Sequence, residues 1–494
     1  MRYSFSRINT LMLVRVMGWL LMIEALFMAG PLAVALLYHE NDVNAWLFSI
    51  AITLGTGVLT ALCVRPRRFD MGKREGFLLT AMVWVVFSAF GMLPFIISDL
   101  HLSVTDAFFE AMSGFTTTGA TVCDVSSLHI THSIHFWRSL MQWIGGMGII
   151  LFTLAVLPML NSSGGMQMFN AEVTGITHEK LRPRVSSTAK RLWLVYTLLT
   201  GLLFVLYVIG PMPVFDSLCH ALTTISTGGF STRPEAIGAW DALYVKIVTT
   251  IFMFIGGVNF ALIFKISTGR IKAAWQNEIF RFYLWIILVV FIIFDGTLLL
   301  NRLVEPTWEH LTIDPLFHII SMMSSTGYMM TEAADWGAAI GIISMILMFF
   351  GACAGSTSGG AKIDRALIFW KNGRNELYRC IYPNHILSVS NNGRTMSPEL
   401  VLKVGVFLGL YILVIVVGSV LLSLTGVSAA DSFITSFTCV SNVGDCVPSV
   451  GVSPVESYML IPSAGKWILS MLMLTGRLEI FTILVLLTRA FWRK

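Results

Sequence analysis

A chain of 494 residues that is 55% hydrophobic and only 12% charged, with a mean hydropathy of +0.76, cannot cover itself with polar surface in water. Lipid is the solvent for most of its length, which excludes a soluble enzyme. The formal net charge of +5 belongs to membrane topology and not to polyanion binding.

In chain order, the first apolar run extends from about Leu11 to Leu37. It is too long for the core of a secretory signal and lacks a small-residue cleavage pattern, so it reads as a retained helix. With the next apolar run it forms a transmembrane helix pair over residues 1–70. Further runs of spanning length follow, such as Leu192–Ile209, Phe282–Leu300 and Val404–Leu424. The seven cysteines are scattered, with no CxxC pair, and suggest neither a disulfide framework nor a metal site.

Most of the basic residues fall in clusters at 65–74, 180–191, 265–281 and 371–403 and at the two ends. The positive-inside rule then puts both termini and these loops in the cytoplasm. Arg138, Arg233, Lys246, Arg302 and Lys466 remain for the outer side. Between clusters the chain is longer than the roughly 50 residues that two spanning helices need. The surplus is apolar and rich in Thr, Ser and Gly, which suits a segment that enters the membrane and returns. Irregular backbone survives at that depth only when it lines a water-filled path or is buried in protein.

The surplus segments repeat. They read DAFFEAMSGFTTTGAT from Asp106, DSLCHALTTISTGGFS from Asp216, DPLFHIISMMSSTGYM from Asp314 and DSFITSFTCVSNVGDC from Asp431. Each opens on Asp, runs through mostly apolar residues and reaches a Gly thirteen positions later: Gly119, Gly229, Gly327 and Gly444. Four copies in register mark an internal repeat. The units are expected at 71–165, 190–268, 280–372 and 397–494, each a helix, a re-entrant loop and a second helix. An Asp is expected to cap each short helix, whose partly negative C-terminus favours a cation beyond it. Gly at the turn lets carbonyl oxygens swing toward a common axis, where four loops could replace the hydration shell of a monovalent ion.

The second helices also repeat, placing Gly146, Gly257, Ala352 and Arg477 at matching positions. Small residues there suit close helix packing. The third copy is interrupted by Gly351–Gly360, too rich in Gly and Ser to stay helical, and predicts a loop beneath the ring. Arg477 costs on the order of 3 kcal/mol at membrane depth. It therefore either raises a barrier on a cation path or pairs with Glu479 or Asp364 to hold helices together.

These features together resemble the superfamily of potassium transporters that includes Trk, Ktr and plant HKT proteins, and the extra N-terminal helix pair is similar to its bacterial TrkH branch. The resemblance implies an all-α polytopic membrane protein of the bacterial inner membrane. Four helix–pore loop–helix repeats would surround one pore pseudo-fourfold, with ten spanning helices in all. It implies a potassium filter at Thr117, Thr118 and Gly119; Thr227, Gly228 and Gly229; Thr326 and Gly327; and Asn442, Val443 and Gly444. The adjacent Gly228 and Gly229 leave that assignment open by one residue, and Asp445 stands at the outer mouth. It implies a gate at Gly351, Gly355, Ser356, Thr357, Ser358, Gly359, Gly360 and Arg477. It further implies a homodimer controlled by a cytosolic TrkA-like nucleotide-binding ring; the chain itself has no GxGxxG in a strand–helix setting and no organic cofactor is expected. A proton- or sodium-coupled symporter using Glu110 or Glu479 is the rival. An intramembrane enzyme is not expected, since no HExxH or nucleophile–base constellation is present.

Overall fold

The computed structural model describes residues 8–64, 72–123, 125, 130–148, 185–240, 242–329, 336–385, 387–444 and 458–493. It opens with α1 (Thr10–Leu37) and α2 (Val43–Cys63). They cross at two glycines: a Cβ on Gly18 would lie 2.6 Å from the Ala61 nitrogen, and one on Gly57 would lie 3.0 Å from the Gly18 oxygen. Without side chains at the crossing, the two backbones approach closely, as helices do in lipid.

The same order of elements then recurs. The first unit holds α3 (Lys73–Gly91), α4 (Leu93–Ile97), the short α5 (Val104–Phe115) and α6 (His132–Gly146). The second holds α7 (Val185–Ile209), the short α8 (Val214–Ile225), α9 (Leu243–Gly257) and α10 (Phe260–Ser267). The third holds α11 (Glu278–Asn301), the short α12 (Asp314–Met323), α13 (Ala338–Phe350) and α14 (Ile363–Ile381). The fourth holds α15 (Pro398–Ser423), the short α16 (Ala429–Ser441), α17 (Ser463–Arg477) and α18 (Ile480–Leu487).

Among the described residues six helices are long and apolar enough to cross a bilayer, and α9 with α10 and α17 with α18 pass only as pairs bent by 110° and 117°. One broken second helix was expected, in the third unit, yet the second and fourth units break as well. The cause is local. The second helices pass under the C-terminal ends of the short helices, where carbonyl oxygens have no helical partner. A Cβ on Gly145 would lie 1.8 Å from the Phe115 oxygen, and one on Gly476 would lie 2.0 Å from the Val440 oxygen. The small residues make room for those carbonyls, and α17 turns just beyond Gly476, as α9 turns beyond Gly256, whose Cβ would lie 3.4 Å from the Ile225 oxygen.

The repeated Asp does not cap its helix in the way the sequence suggests. In the first and fourth units the cap is a serine three residues earlier. Ser103 accepts the Asp106 N–H at 3.2 Å and donates its hydroxyl to Asp106 Oδ2 at 2.7 Å. Ser428 does the same for Asp431 with the same two distances. The carboxylates of Asp106, Asp216 and Asp314 instead meet cations. Lys466 of the fourth unit donates to Asp106 Oδ1 of the first at 2.6 Å. Lys246 of the second lies 3.4 Å from Asp314 Oδ1 of the third, and Arg233 lies 3.5 Å from Asp216 Oδ2.

Among the described residues the most deeply buried ion pair is Arg138 Nε with Glu110 Oε1 at 2.8 Å, their side chains 2% and 0% exposed. Replacing Arg138 with Met leaves a buried carboxylate uncompensated, at a cost of about 3–5 kcal/mol. Thermal unfolding in detergent should show a markedly lower midpoint, with partial recovery in Arg138→Met/Glu110→Leu; an unchanged midpoint in the single variant would contradict the assignment.

Candidate functional site

All four short helices end in the same turn. Thr117, Thr227, Ser325 and Asn442 take left-handed backbone angles, with φ of 53°, 54°, 58° and 53°. The following N–H then reaches back five residues: Thr118 to the Ser113 oxygen at 2.9 Å, Gly228 to Thr223 at 2.9 Å, Thr326 to Ser321 at 2.9 Å and Val443 to Thr438 at 3.0 Å. This is a Schellman-type closure, ordinarily built on Gly. A β-branched Thr at positive φ is held there by its surroundings at a cost of about 1–3 kcal/mol.

Sequence reasoning assigned the special backbone angles to the glycines two residues later. Gly119, Gly229 and Gly327 do have φ of 85°, 83° and 79°, whereas Gly444 lies outside the positive-φ region. The left-handed residues before them escaped notice; only Asn442, of a residue type that tolerates αL, carried a local signal.

The loops abut one another. A Cβ on Gly119 would lie 2.2 Å from the Gly228 oxygen, one on Gly229 would lie 2.0 Å from the Thr326 oxygen, and one on Gly444 would lie 2.0 Å from the Gly119 carbonyl carbon. The first loop thus touches the second, the second the third, and the fourth the first. Side chains behind them fix the backbone. Gln142 Nε2 donates to the Gly228 oxygen at 2.7 Å. Asn442 Nδ2 donates to Thr118 Oγ1 at 3.0 Å and to the Met473 oxygen at 2.9 Å. Ser321 donates to the Tyr328 oxygen at 2.8 Å. Thr117 Oγ1 and Asn442 Oδ1 are buried with no hydrogen-bond partner among the described residues. Asp445 lies outside the described residues.

The Gly351–Gly360 segment is non-helical, as expected, and is seated against the ends of the short helices. Thr357 Oγ1 donates to the Ile225 oxygen and to the Gly256 oxygen, each at 3.1 Å. The Cys353 N–H donates to the Gly257 oxygen at 3.1 Å. The Gly359 N–H donates to Ser325 Oγ at 2.5 Å. A Cβ on Gly359 would lie 2.2 Å from the Ser441 oxygen, so only Gly lets the segment come this close to the fourth unit. Ser356 donates within the segment, to the Cys353 oxygen at 2.6 Å, and its hydroxyl lies 2.9 Å from that of Ser358. Gly351, Gly355 and Gly360 have φ of 63°, 76° and 75° and shape the turns that fold the segment back on itself.

Arg477 joins this segment to the first unit. Its guanidinium donates to the Thr357 oxygen at 2.8 Å and to the Gly145 oxygen at 2.8 Å. Neither acid weighed from the sequence takes it. Glu479 accepts from Arg365 Nη2 at 2.7 Å on both oxygens, and Asp364 accepts the Ala354 N–H at 3.0 Å. Backbone carbonyls as partners leave no trace in sequence, which is why the ion-pair alternative stood open. The segment and its arginine therefore contact all four units: the second at Ile225 and Gly256, the third at Ser325, the fourth at Ser441, and the first at Gly145.

The arrangement has close counterparts. The family profile described as TrkH, a cation transport protein, matches residues 42–494. The Trk system potassium uptake protein TrkH of Salmonella typhimurium is 35% identical over 483 residues, 97% of this chain and 99% of the relative. The Trk system potassium uptake protein TrkG of Escherichia coli K12 is 33% identical over 481 residues, 96% of this chain and 97% of the relative. The crystal structure of the potassium transporter TrkH from Vibrio parahaemolyticus superposes with a TM-score of 0.88 at 32% identity, covering 98% of this chain and 100% of that one. A multi-pass helical membrane protein matched end to end by both sequence and fold, the chain belongs to the TrkH family of cation transport proteins.

Proposed function

We propose that this protein takes potassium up across the bacterial inner membrane, passively, through one pore whose filter is made by the four re-entrant loops. The observation that carries this reading is the fourfold recurrence of the same left-handed turn, with loops in mutual contact and two of their buried side-chain oxygens without a partner among the described residues. The filter comprises Thr117–Gly119, Thr227–Gly229, Thr326–Gly327 and Asn442–Gly444, arranged pseudo-fourfold within repeats 71–165, 190–268, 280–372 and 397–494. Oxygen rings without strong negative side chains suit weakly hydrated potassium better than sodium. One glycine per loop predicts modest discrimination compared with several stacked rings. An inside-negative potential supplies about 2.3 kcal/mol per monovalent ion per 100 mV.

The Gly351–Gly360 loop and Arg477 form the gate in this reading. The loop bridges three units directly beneath the turns, and Arg477 brings positive charge to it while holding it to the fourth contact at Gly145. The protein works as a homodimer with both termini cytoplasmic, under a TrkA-like nucleotide-binding ring that docks from that side. Passive uptake is favoured over a coupled carrier because Glu110 and Glu479 are each paired with an arginine; Asp445, the third acid such a carrier could use, lies outside the described residues.

Ion flux into proteoliposomes containing the purified chain, with potassium or sodium gradients at clamped pH, tests the whole. Potassium-preferring flux without a proton or sodium gradient is expected. Strict dependence on a proton gradient would overturn passive uptake and direct attention to Glu24, a buried carboxyl with no described partner on either oxygen. Gly119→Ala and Gly444→Ala should each lower the potassium-to-sodium flux ratio, since neither Cβ has room; an unchanged ratio in folded protein refutes the filter. Arg477→Ala should raise basal flux severalfold, and an unchanged or lower rate refutes its gating role.

A further inference from the structure

Gln142 sits on α6 of the first unit and is completely buried. Its amide does not serve its own unit. Nε2 donates to the Gly228 oxygen at 2.7 Å, and Oε1 accepts the Phe230 N–H at 3.2 Å. These two backbone groups lie on either side of Gly229, so one side-chain amide brackets the filter glycine of the second loop as a paired strand would. The contacts define the amide's orientation, because the carbonyl needs a donor and the N–H needs an acceptor.

This clamp also accounts for the paired glycines. Gly229 has the positive φ of 83°. A Cβ on Gly228 would lie 2.4 Å from Gln142 Cδ, so Gly228 is what lets the amide reach the backbone. The matching positions in the other loops are Thr118, Thr326 and Val443, each with a side chain of its own. The Gly228 oxygen that Gln142 holds is also the atom a Cβ on Gly119 would strike at 2.2 Å. Gln142 therefore fixes the seam between the first and second loops. One turn earlier on α6, Arg138 lies over the Phe230 ring at 4.3 Å and binds Glu110, which in turn accepts the Val122 N–H at 3.0 Å. A single face of α6 thus supports the backbone following both filter glycines.

We infer that Gln142 is a positioning residue for ion discrimination: by bracketing Gly229 it sets the spacing of the first two loops and hence the size of the ring. The inference rests on the reading of the loops as a filter. A bond that merely satisfied buried groups would affect stability alone, whereas a bond that sets ring dimensions must affect the ratio of permeabilities.

The test measures potassium, rubidium and sodium flux in proteoliposomes for Gln142→Glu, Gln142→Leu and Gly228→Ala, with thermal unfolding of each. Gln142→Glu keeps the size and the acceptor but replaces the donor with an oxygen facing the Gly228 carbonyl. Gly228→Ala displaces the same amide from the other side. A severalfold fall in the potassium-to-sodium ratio is expected in all three, exceeding any loss of potassium rate. Wild-type ratios in folded Gln142→Glu and Gln142→Leu overturn the inference if Gly119→Ala does shift the ratio. If Gly119→Ala also leaves it unchanged, the filter reading itself falls. Failure of both Gln142 variants to fold would make the residue a purely structural bond, and equally overturns the inference.

Discussion

Backbone that leaves a helix at membrane depth must find a partner for every N–H and C=O, because lipid offers none. Four chain segments do this here, and much of the remaining structure follows from it. The left-handed residue at each short-helix end allows the next N–H to bond back into the helix. The carbonyls still unpaired after that closure need donors or close packing from outside. The second helices supply both, with glycines that admit the carbonyls, and in the second and fourth units they bend just beyond. The Gly351–Gly360 segment belongs to the same accounting. Its Thr357 hydroxyl and backbone N–H groups occupy acceptors that a continuous helix would leave unserved.

The four units solve one problem with different side chains. Behind the first loop stand Glu110 and Asn442, behind the second Gln142, and behind the third Ser321. At the left-handed residue two before each repeated glycine, Ser325 accepts from the Gly351–Gly360 segment and Thr227 lies 3.3 Å from the Thr357 hydroxyl. The corresponding side chains of the first and fourth units, Thr117 and Asn442, each keep an oxygen free of described partners. Repeated backbone geometry with varied side chains fits a ring whose shape is common to all units but whose underside is gripped from two of them.

Much of the fold was legible because it is written in local patterns. Apolar run lengths give the spanning helices, and the Asp-to-Gly spacing gives the short helix and its turn. The interruption at Gly351–Gly360 was legible for the same reason: the cost of four glycines with Ser and Thr in a ten-residue stretch of helix is local. What escaped was every interaction between a side chain and a distant backbone. Arg477 bonds to carbonyls of Thr357 and Gly145, and Gln142 bonds across Gly229. Backbone atoms have no residue identity, so no pairing of letters announces such bonds. The breaks after Gly257 and Arg477 were missed for a related reason. Glycines that ease helix packing and glycines that admit a foreign carbonyl look alike in sequence, and only the position of the neighbouring helix end separates them.

Asn259, at the bend between α9 and α10, illustrates where this arrangement leads. Its Oδ1 accepts the N–H groups of Ala261 and Leu262 at 2.8 and 3.2 Å, while its Nδ2 donates to the Ala354 oxygen at 2.6 Å. The Phe260 N–H donates to the Gly355 oxygen at 3.0 Å. The start of α10 is thus built partly from the loop it touches. If the loop leaves its seat, α10 loses an anchor on its first turn; if α10 is tilted from outside, the loop is pulled with it. The bend ties the loop to the first turn of α10 through one side chain and one backbone bond, so that displacing either strains the other.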